Sequence, residues 1–231
     1  MSERAQILLF DLDGTLISAG GAGRSAMQGA IDEMFGRDDL LDFDFSGRTD
    51  RAIARAALHK AGVDADEIEA AIGRFLDRYV EVLAAALDPP PERYRVLPGV
   101  LALLDALESA GGAGVALGLG TGNIEAGARI KLSPAGLANR FAFGGFGSDA
   151  EDRAALLEIG ARRGAARLGV PRERCRVVII GDTPLDIAAA HAIGAECLAV
   201  STGNFAAETL RDAERVVETL DASLWQWLLD R

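Results

Sequence analysis

The chain has 231 residues, and its 35 acidic residues outnumber its 24 lysines and arginines, which gives a formal net charge of −11 at pH 7. A content of 49% hydrophobic and 26% charged residues is typical of a globular protein and excludes a disordered chain. Nucleic acids and anionic membranes are bound by basic surfaces, so the acidic balance argues against both as partners.

Neither a signal peptide nor a transmembrane segment is indicated, since the apolar run near the N-terminus is short and acids follow it at once. The two cysteines, Cys175 and Cys197, are too few for a disulfide scaffold or a metal cluster, and both are expected to be buried thiols. We therefore expect a cytoplasmic protein, and its oligomeric state is left open.

The first 90 residues predict one strand followed by a helical segment. An apolar run at residues 6–10 is typical of a strand. After residue 20 the apolar residues follow helical spacing, which predicts helices at residues 23–35, 50–61 and 66–87. Asp88 and the three prolines after it end this segment, because proline cannot continue a helix.

The remaining chain alternates between predicted helices and strands. Strands are predicted at residues 115–119, 141–143, 177–180 and 197–200, and helices at residues 100–109, 124–132, 152–168, 186–193 and near 225–229. Such alternation predicts a parallel sheet with right-handed crossovers. The expected fold class is therefore α/β, a Rossmann-like parallel-sheet core of residues 1–19 and 94–231 with a small all-helical cap domain of residues 20–93.

Three of the predicted strands end abruptly in small, polar or acidic residues. These segments are Asp11-Leu12-Asp13-Gly14-Thr15, Gly120-Thr121-Gly122-Asn123 and Gly181-Asp182-Thr183-Pro184-Leu185-Asp186. Ligands of an open parallel sheet bind beyond the carboxyl ends of its strands, so all three segments are expected at one edge. Carboxylates gathered there repel one another unless a cation lies between them.

The spacing of Asp11 and Asp13 suits two carboxylates that act on one reacting centre. Side chains at positions i and i+2 of a strand start on the same side. One carboxylate can attack as a nucleophile while the other, protonated, gives its proton to the leaving oxygen. Asp182 adds a hard oxygen ligand for Mg²⁺. Thr121 offers a hydroxyl and a helix start to an anion, and Lys131 follows on that helix.

Together these segments resemble the haloacid dehalogenase superfamily of phosphohydrolases over nearly the whole chain. Residues 11–16 match its first motif, Thr121 its second, and residues 181–186 its acidic fourth motif. The helical insertion after the first strand resembles the cap of the phosphoglycolate-phosphatase-like branch. Either acidic segment alone would be typical of a solvated turn, but both after strands, with Thr121 between them, indicate a catalytic site.

The resemblance also implies a role for each acidic site residue. Asp11 would be the nucleophile that forms an aspartyl-phosphate, and Asp13 the general acid/base. Mg²⁺ would be bound by Asp11, the backbone carbonyl of Asp13 and Asp182, with Asp186 supporting this metal site.

The third motif departs from the superfamily pattern. Relatives often carry a Lys-Pro pair before the helix that precedes the fourth motif, whereas this region contains no lysine and Arg153 is its candidate cation. Lys131, on the preceding helix, is the alternative, and the chain has only one other lysine, Lys60. We expect Lys131 to fill this catalytic role, and its loss to cost more activity than the loss of Arg153.

Substrate contacts are predicted at Gly122 and Asn123, in the second motif, and at Arg48 in the cap. Arg48 lies in a polar turn that opens a helix, where its guanidinium can pair with a carboxylate or a second phosphate. The alternative is a surface arginine that pairs with Asp44 or Asp50.

The predicted function is that of a Mg²⁺-dependent phosphatase that acts on a small phosphorylated metabolite. A sugar-phosphate mutase on the same site is the main alternative, since it would return the phosphoryl group to substrate rather than to water. A 2-haloacid dehalogenase is disfavoured, because displacing halide from carbon needs neither Asp13 nor the acids for Mg²⁺. A non-catalytic module that binds a phospho-ligand would be expected to lack a key acid, and Asp11, Asp13 and Asp182 are all present.

Overall fold

Strands and helices alternate along the chain as the hydrophobic pattern predicts. The computed structural model describes residues 5–229, and the side-chain environments of all of these except residues 111 and 113. The strands are β1 (Ala5–Phe10), β2 (Ile17–Ala19), β3 (Tyr94–Val96), β4 (Val115–Thr121), β5 (Gly144–Phe146), β6 (Cys175–Gly181), β7 (Glu196–Val200) and β8 (Arg215–Val217). The helices are α1 (Ala22–Phe35), α2 (Asp50–Ala61), α3 (Ile68–Ala86), α4 (Val100–Gly111), α5 (Glu125–Leu132), α6 (Arg153–Leu168), α7 (Pro184–Ala192) and α8 (Leu224–Leu229).

Six strands form one parallel sheet in the order β5-β4-β1-β6-β7-β8. Within it, Phe10 of β1 is in register with Leu119 of β4 and with Ile180 of β6. The predicted Rossmann-like α/β core is thus confirmed. The carboxyl ends of β4, β1 and β6 lie side by side, which brings the three polar segments together.

Helices cover both faces of this sheet. Along β1, Ile7 and Leu9 pack with α6 and α7, whereas Leu8 and Phe10 belong to the cluster that includes α4 and α8. This division follows from the two-residue period of side chains along a strand. Every residue of β6 is buried, as its continuous apolar run predicts.

The segment between β2 and β3 is helical and touches the carboxyl edge of the sheet. On α3, buried apolar and aromatic residues recur at intervals of three or four positions, as in Ile72, Phe75, Tyr79 and Leu83. α3 packs against α1 and α2, and β2 pairs antiparallel with β3 at the two ends of the segment. The treatment of residues 20–93 as a separate cap domain stays a prediction. No helix within residues 5–229 is both long and apolar enough to cross a membrane.

The strand predicted at residues 141–143 is wrong by three positions, since β5 occupies Gly144–Phe146. Phe141 instead packs its ring against Phe10, with 5.8 Å between the ring centroids. Glycine is needed in β5 because α6 lies so close that a Cβ on Gly145 would be 1.8 Å from the carbonyl oxygen of Leu156. Aromatic side chains therefore mark the packed loop, whereas two of the three residues in the strand itself are glycines, which disfavour strands.

The shortest strands and the two cysteines differ in how well the sequence predicts them. The apolar pattern does not predict β2, β3 or β8, each of which spans three residues. Cys175 and Cys197 are buried and unpaired, as predicted.

Candidate active site

The predicted site residues meet at a cavity of about 550 Å³ between the carboxyl edge of the sheet and the helical segment. Asp11 follows β1, Thr121 ends β4 and Asp182 follows β6. Arg153 also contributes to the wall of this cavity, whereas Asp186 lies behind the wall and is fully buried. The predicted residues that line the cavity are Asp11, Asp13, Arg48, Thr121, Gly122, Asn123, Lys131 and Asp182.

Three aspartates at this edge form a buried cluster. One carboxylate oxygen from each of Asp11, Asp182 and Asp186 lies within 4.8 Å of the other two. Burial and the two neighbouring carboxylates raise the pKa of Asp182 to about 8. Burial also raises the pKa of Asp11 to about 6, although the Arg153 guanidinium opposes this shift. Charged carboxylates are unfavourable here unless a cation joins them, and their hard oxygen atoms fit a divalent metal ion.

Two glycines make room for the Asp182 carboxylate. Gly14 has a φ of +86°, and a Cβ there would lie 2.4 Å from Asp182 Oδ2. A Cβ on Gly203 would lie 1.7 Å from the same oxygen. The Thr15 hydroxyl donates a hydrogen bond to Asp182 Oδ1 over 3.2 Å. Position 14 of the first motif therefore requires glycine, both for its backbone conformation and for the approach of Asp182.

Asp186 is fixed by protein groups on both of its carboxylate oxygens. The backbone N–H and the hydroxyl of Thr183 donate to Asp186 Oδ2 over 3.0 and 2.7 Å. Arg153 Nε donates to Asp186 Oδ1 over 2.8 Å. Thr183 and Asp186 form a capping box at the start of α7, which explains their spacing of three residues. Asp186 therefore supports the cluster from behind.

The two carboxylates of the first motif have different cationic partners. Arg153 Nη2 lies 3.3 Å from Asp11 Oδ2. The Lys131 ammonium instead donates to Asp13 Oδ2 and to Asn123 Oδ1, each over 2.6 Å. Burial disfavours the charged ammonium, but neighbouring carboxylates, above all that of Asp13, raise the pKa of Lys131 above its usual range. Lys131 thus contacts the acid/base candidate, and Arg153 contacts the nucleophile candidate.

Asn123 links the second motif to Asp13. Its Nδ2 donates to Thr121 Oγ1 over 2.9 Å and to Asp13 Oδ2 over 3.0 Å. Thr121 is fully buried at the end of β4. These bonds hold the Asp13 carboxylate toward Lys131, and it lies outside the cluster of three aspartates.

The start of α2 joins the helical segment to the second motif. The Asp50 N–H donates to the Gly122 carbonyl over 2.8 Å, and the Asp50 carboxylate accepts from the Ile124 N–H over 2.9 Å. On the outer side, Arg55 forms an ion pair with Glu151 over 2.6 Å. The hydrogen bonds of Asp50 and the Arg55–Glu151 ion pair therefore help to hold the helical segment beside the cavity.

Arg48 is exposed and lines the cavity. Asp44 accepts hydrogen bonds from the backbone and hydroxyl of Ser46, and Asp50 is engaged at the start of α2. The Arg48 guanidinium lies 5.5 Å from the centre of the Phe43 ring. Arg48 forms no ion pair within 4.0 Å with Asp44 or Asp50. The hydrogen bonds from Ser46 lower the pKa of Asp44, and the charge of Arg48 contributes to this shift. Arg48 stays a predicted substrate contact.

The sequence does not predict a place in the site for three polar residues of the cavity. It indicates Asp50 only as a possible partner of Arg48, yet the Asp50 carboxylate accepts a hydrogen bond from the backbone at the start of α5. The Thr202 hydroxyl donates to the Gly14 carbonyl over 2.6 Å. Tyr79 is fully buried on α3 and also lines the cavity. A tyrosine at a core position of an amphipathic helix has the pattern of packing, so no local signal separates Tyr79 from its apolar neighbours.

Fold and site together are those of a known hydrolase family. The family model of the haloacid dehalogenase-like hydrolases matches residues 5–194, which include all the motif residues described above. The chain therefore belongs to the haloacid dehalogenase-like hydrolases, and the resemblance drawn from its motifs is confirmed.

Individual relatives extend this comparison over almost the whole chain. The protein is 30% identical to the phosphoglycolate phosphatase of Rhodospirillum rubrum over 236 residues, which cover 96% of this chain and 90% of that protein. Its structure is similar to that of CbbY from Rhodobacter sphaeroides in complex with phosphate, with a TM-score of 0.70, 18% identity and coverage of 98% and 100%. A β-phosphoglucomutase from Clostridium difficile has the same TM-score and identity, with coverage of 98% and 97%. At such identity the two solved structures show the shared fold alone.

Proposed function

We propose that the protein is a Mg²⁺-dependent phosphatase that hydrolyses a small phosphomonoester through an aspartyl-phosphate on Asp11. The separate environments of Asp11 and Asp13 carry this proposal. Arg153 contacts Asp11 beside the three-aspartate cluster, whereas Lys131 holds Asp13 outside it. Two carboxylates two residues apart are thereby suited to different roles, one to attack phosphorus and the other to transfer a proton.

The three-aspartate cluster supports a divalent ion, for which we propose Mg²⁺ held by Asp11, the backbone carbonyl of Asp13 and Asp182. Asp186 would keep these ligands in place through its bonds to Thr183 and Arg153. When bound, the ion offsets the negative charge shared by the nucleophile and the phosphoryl oxygens. The raised pKa of Asp182 supports this site, because burial and the neighbouring carboxylates of Asp11 and Asp186 disfavour its charged form more than Arg153 favours it.

The proposed chemistry has two half-reactions. In the first, an Asp11 carboxylate oxygen attacks phosphorus, the P–O bond to the leaving alcohol breaks, and Asp13 protonates the leaving oxygen. In the second, Asp13 removes a proton from a water molecule, whose oxygen attacks phosphorus and breaks the bond to Asp11. Thr121, Gly122 and Asn123 are the proposed contacts of the phosphoryl group during both steps.

We further propose that residues 20–93 act as a cap domain that opens for substrate and closes for the chemistry. The contacts of Asp50 with the second motif, and the ion pair of Arg55 with Glu151, would hold the closed state. Closure would exclude bulk water while the phosphoryl group is transferred to Asp11. Arg48 would then face the leaving group.

A small phosphorylated metabolite in the cytoplasm is the proposed substrate, and 2-phosphoglycolate is the first one to test. The Rhodospirillum rubrum relative bears the name phosphoglycolate phosphatase. The exposed Arg48 guanidinium at the cavity wall suits a carboxylate, which it can bind through two hydrogen bonds.

Phosphate release by the purified protein tests this proposal. We expect release from 2-phosphoglycolate and p-nitrophenyl phosphate in Mg²⁺ and its loss with a chelator. Asp11→Asn should lower kcat by on the order of 10⁴-fold or more, because the amide is no nucleophile. Thermal unfolding of this variant is the control for folding, and activity retained by folded Asp11→Asn would exclude Asp11 as the nucleophile.

A mutase would use the same active-site acids of this protein, and a β-phosphoglucomutase is among the solved structures that share its fold. It differs in where the phosphoryl group goes. A mutase would convert a sugar phosphate to its isomer when primed with a bisphosphate, and would release little free phosphate. Assay of both products in one reaction therefore separates the two functions.

A further inference from the structure

Tyr79 borders the catalytic cavity, and its buried hydroxyl finds no hydrogen-bond acceptor among residues 5–229. The residue is fully buried on α3, and it lines the cavity. Two other hydroxyls of the cavity wall have acceptors, since Thr202 donates to the Gly14 carbonyl and Thr183 donates to Asp186. A buried donor without an acceptor lowers stability, so its retention at a binding cavity points to a ligand that supplies the acceptor.

The Lys131 ammonium beside Tyr79 cannot supply that acceptor. A Cβ on Gly23 would lie 2.9 Å from Lys131 Nζ and 3.9 Å from the Tyr79 hydroxyl oxygen, so both groups border the same space. Lys131 donates two of its hydrogen atoms to Asp13 and Asn123. A third can point to the Tyr79 oxygen, but an ammonium accepts no hydrogen bond. The hydroxyl hydrogen of Tyr79 is therefore left for a bound molecule.

Tyr79 remains a donor over the whole working range of pH. Burial, followed by the charge of the nearby Asp50 carboxylate, raises the pKa of Tyr79 well above its ordinary value. The phenol therefore stays protonated.

The position of Tyr79 determines which part of the substrate it would contact. In the proposed mechanism Asp13 protonates the leaving oxygen, so the leaving group lies on the Asp13 and Lys131 side of the cavity. The phosphoryl group lies nearer Asp11, which attacks it, and contacts the second motif. Tyr79 approaches from the helical segment beside Lys131, and is therefore placed next to the leaving group.

We propose that Tyr79 donates a hydrogen bond to an oxygen atom in the leaving-group part of the substrate. It would thereby select phosphomonoesters of small oxygenated alcohols over plain alkyl phosphates. This inference rests on the proposed phosphatase function, because it needs a leaving group beside Asp13. A site built to bond a polar atom discriminates strongly against an analogue that lacks it, since the site's own group is then left unpaired.

Two pairs of esters with matched carbon skeletons test the inference with the full-length protein. 2-Phosphoglycolate is compared with ethyl phosphate, and glycerol 3-phosphate with propyl phosphate. Wild type is expected to prefer the oxygenated member of at least one pair. In Tyr79→Phe, which removes only the hydroxyl, the ratio of kcat/KM within that pair should fall about tenfold.

Tyr94→Phe is the matched control variant. Its hydroxyl donates to the backbone carbonyl of Lys131 over 2.8 Å, so it already has a protein partner. We expect Tyr94→Phe to lower the melting temperature and to keep the wild-type substrate ratio. Tyr79→Phe should unfold at the wild-type temperature or above it, because it loses a hydroxyl hydrogen that no protein group accepts.

Three results would overturn the inference. One is a wild type that hydrolyses the esters without preferring the oxygenated member of either pair. Another is a Tyr79→Phe ratio within about twofold of wild type. The last is a Tyr79→Phe variant that is less stable than wild type and hydrolyses all four esters more slowly by the same factor. That result would show that the hydroxyl has a structural role. A wild type that releases phosphate from none of the esters is a different failure, since it removes the proposed function together with the inference.

Discussion

Arg153 and Lys131 each hold one aspartate of the first motif, so the loss of either cation should leave a distinct kinetic signature. Lys131→Ala removes the partner of Asp13, the proposed proton donor. The substitution should therefore slow the hydrolysis of 2-phosphoglycolate more than that of p-nitrophenyl phosphate, because the leaving group of p-nitrophenyl phosphate needs little protonation. Arg153→Ala removes a partner of Asp11 and should lower kcat/KM for both substrates alike, by on the order of 10²-fold.

Steady-state kinetics of both variants on both substrates measure this difference. The same data test the expectation that Lys131→Ala costs more total activity than Arg153→Ala. The roles given to the two cations would be reversed if Arg153→Ala lowered the rate with 2-phosphoglycolate more than the rate with p-nitrophenyl phosphate and Lys131→Ala did not.

Among single residues, the local sequence predicts those whose place in the site follows from their position at the end of a strand. Asp11 and Asp182 each follow a strand and Thr121 ends one, and the topology of a parallel sheet then brings them together. Side-chain partners are not predictable in the same way. That Arg153 reaches Asp11, while Lys131 reaches Asp13, depends on how α5 and α6 pack, and no spacing along the chain reports it.

Among the elements, β5 begins with two glycines, and the space available rather than strand propensity accounts for them. Gly145→Ala would place a Cβ 1.8 Å from the Leu156 carbonyl oxygen of α6, which is backbone and cannot move aside. We expect the free energy of unfolding to fall by about 3 kcal/mol or more. Chemical denaturation of the purified variant measures this loss.

Gly73→Ala is the control for the glycine substitution. Gly73 lies in α3, and a Cβ there would meet nothing within 4 Å. Alanine should stabilise this helix by about 0.5–1 kcal/mol, because glycine loses more backbone entropy on folding. Equal effects of the two substitutions would show that close packing between β5 and α6 is not the reason for glycine in this strand.

Long elements are predictable from the sequence, and short ones are not. The helices α1 to α7 begin and end within two residues of their predicted bounds, because several turns of periodic apolar residues define each of them. β2, β3 and β8 have three residues each, too few to show a period of two. Their existence depends on the strands that they pair with.

For the whole molecule, the net charge of −11 conflicts with binding a phosphate ester unless cations are supplied locally. Arg153, Lys131 and the proposed Mg²⁺ meet this need. The net charge of the chain therefore argues against a broad basic face but not against an anionic substrate. The fold class follows from the alternation of strands and helices, whereas the position of the helical segment beside the cavity depends on contacts such as that of Asp50 with Ile124.

Stability of the metal-free protein should fall as the pH rises. The pKa of Asp11 is raised to about 6 and that of Asp182 to about 8, so both acids favour folding when protonated. This contribution is present below the ordinary pKa of an aspartate and is lost as the pH passes through these raised values. Mg²⁺ binds the charged carboxylates, and should therefore raise the melting temperature more at pH 8.5 than at pH 5.5.

Thermal unfolding with Mg²⁺ or with a chelator, at both pH values, measures this effect. Asp182→Asn is the control, since it removes one proposed ligand and should abolish most of the Mg²⁺-dependent shift. A shift that is equal at the two pH values, or that survives in Asp182→Asn, would contradict the proposed metal site.

The covalent phosphoryl group on Asp11 is the most direct test of the proposed function. Asp13→Asn should trap it, because this variant retains the nucleophile but lacks the base that activates water. The protein is mixed with p-nitrophenyl phosphate and Mg²⁺, quenched in acid and analysed by mass spectrometry of its peptides. We predict one added phosphoryl group on the peptide that contains Asp11, and none in Asp11→Asn. Release of phosphate by wild type with no covalent phosphoryl group in any variant, or with one on another residue, would contradict the mechanism.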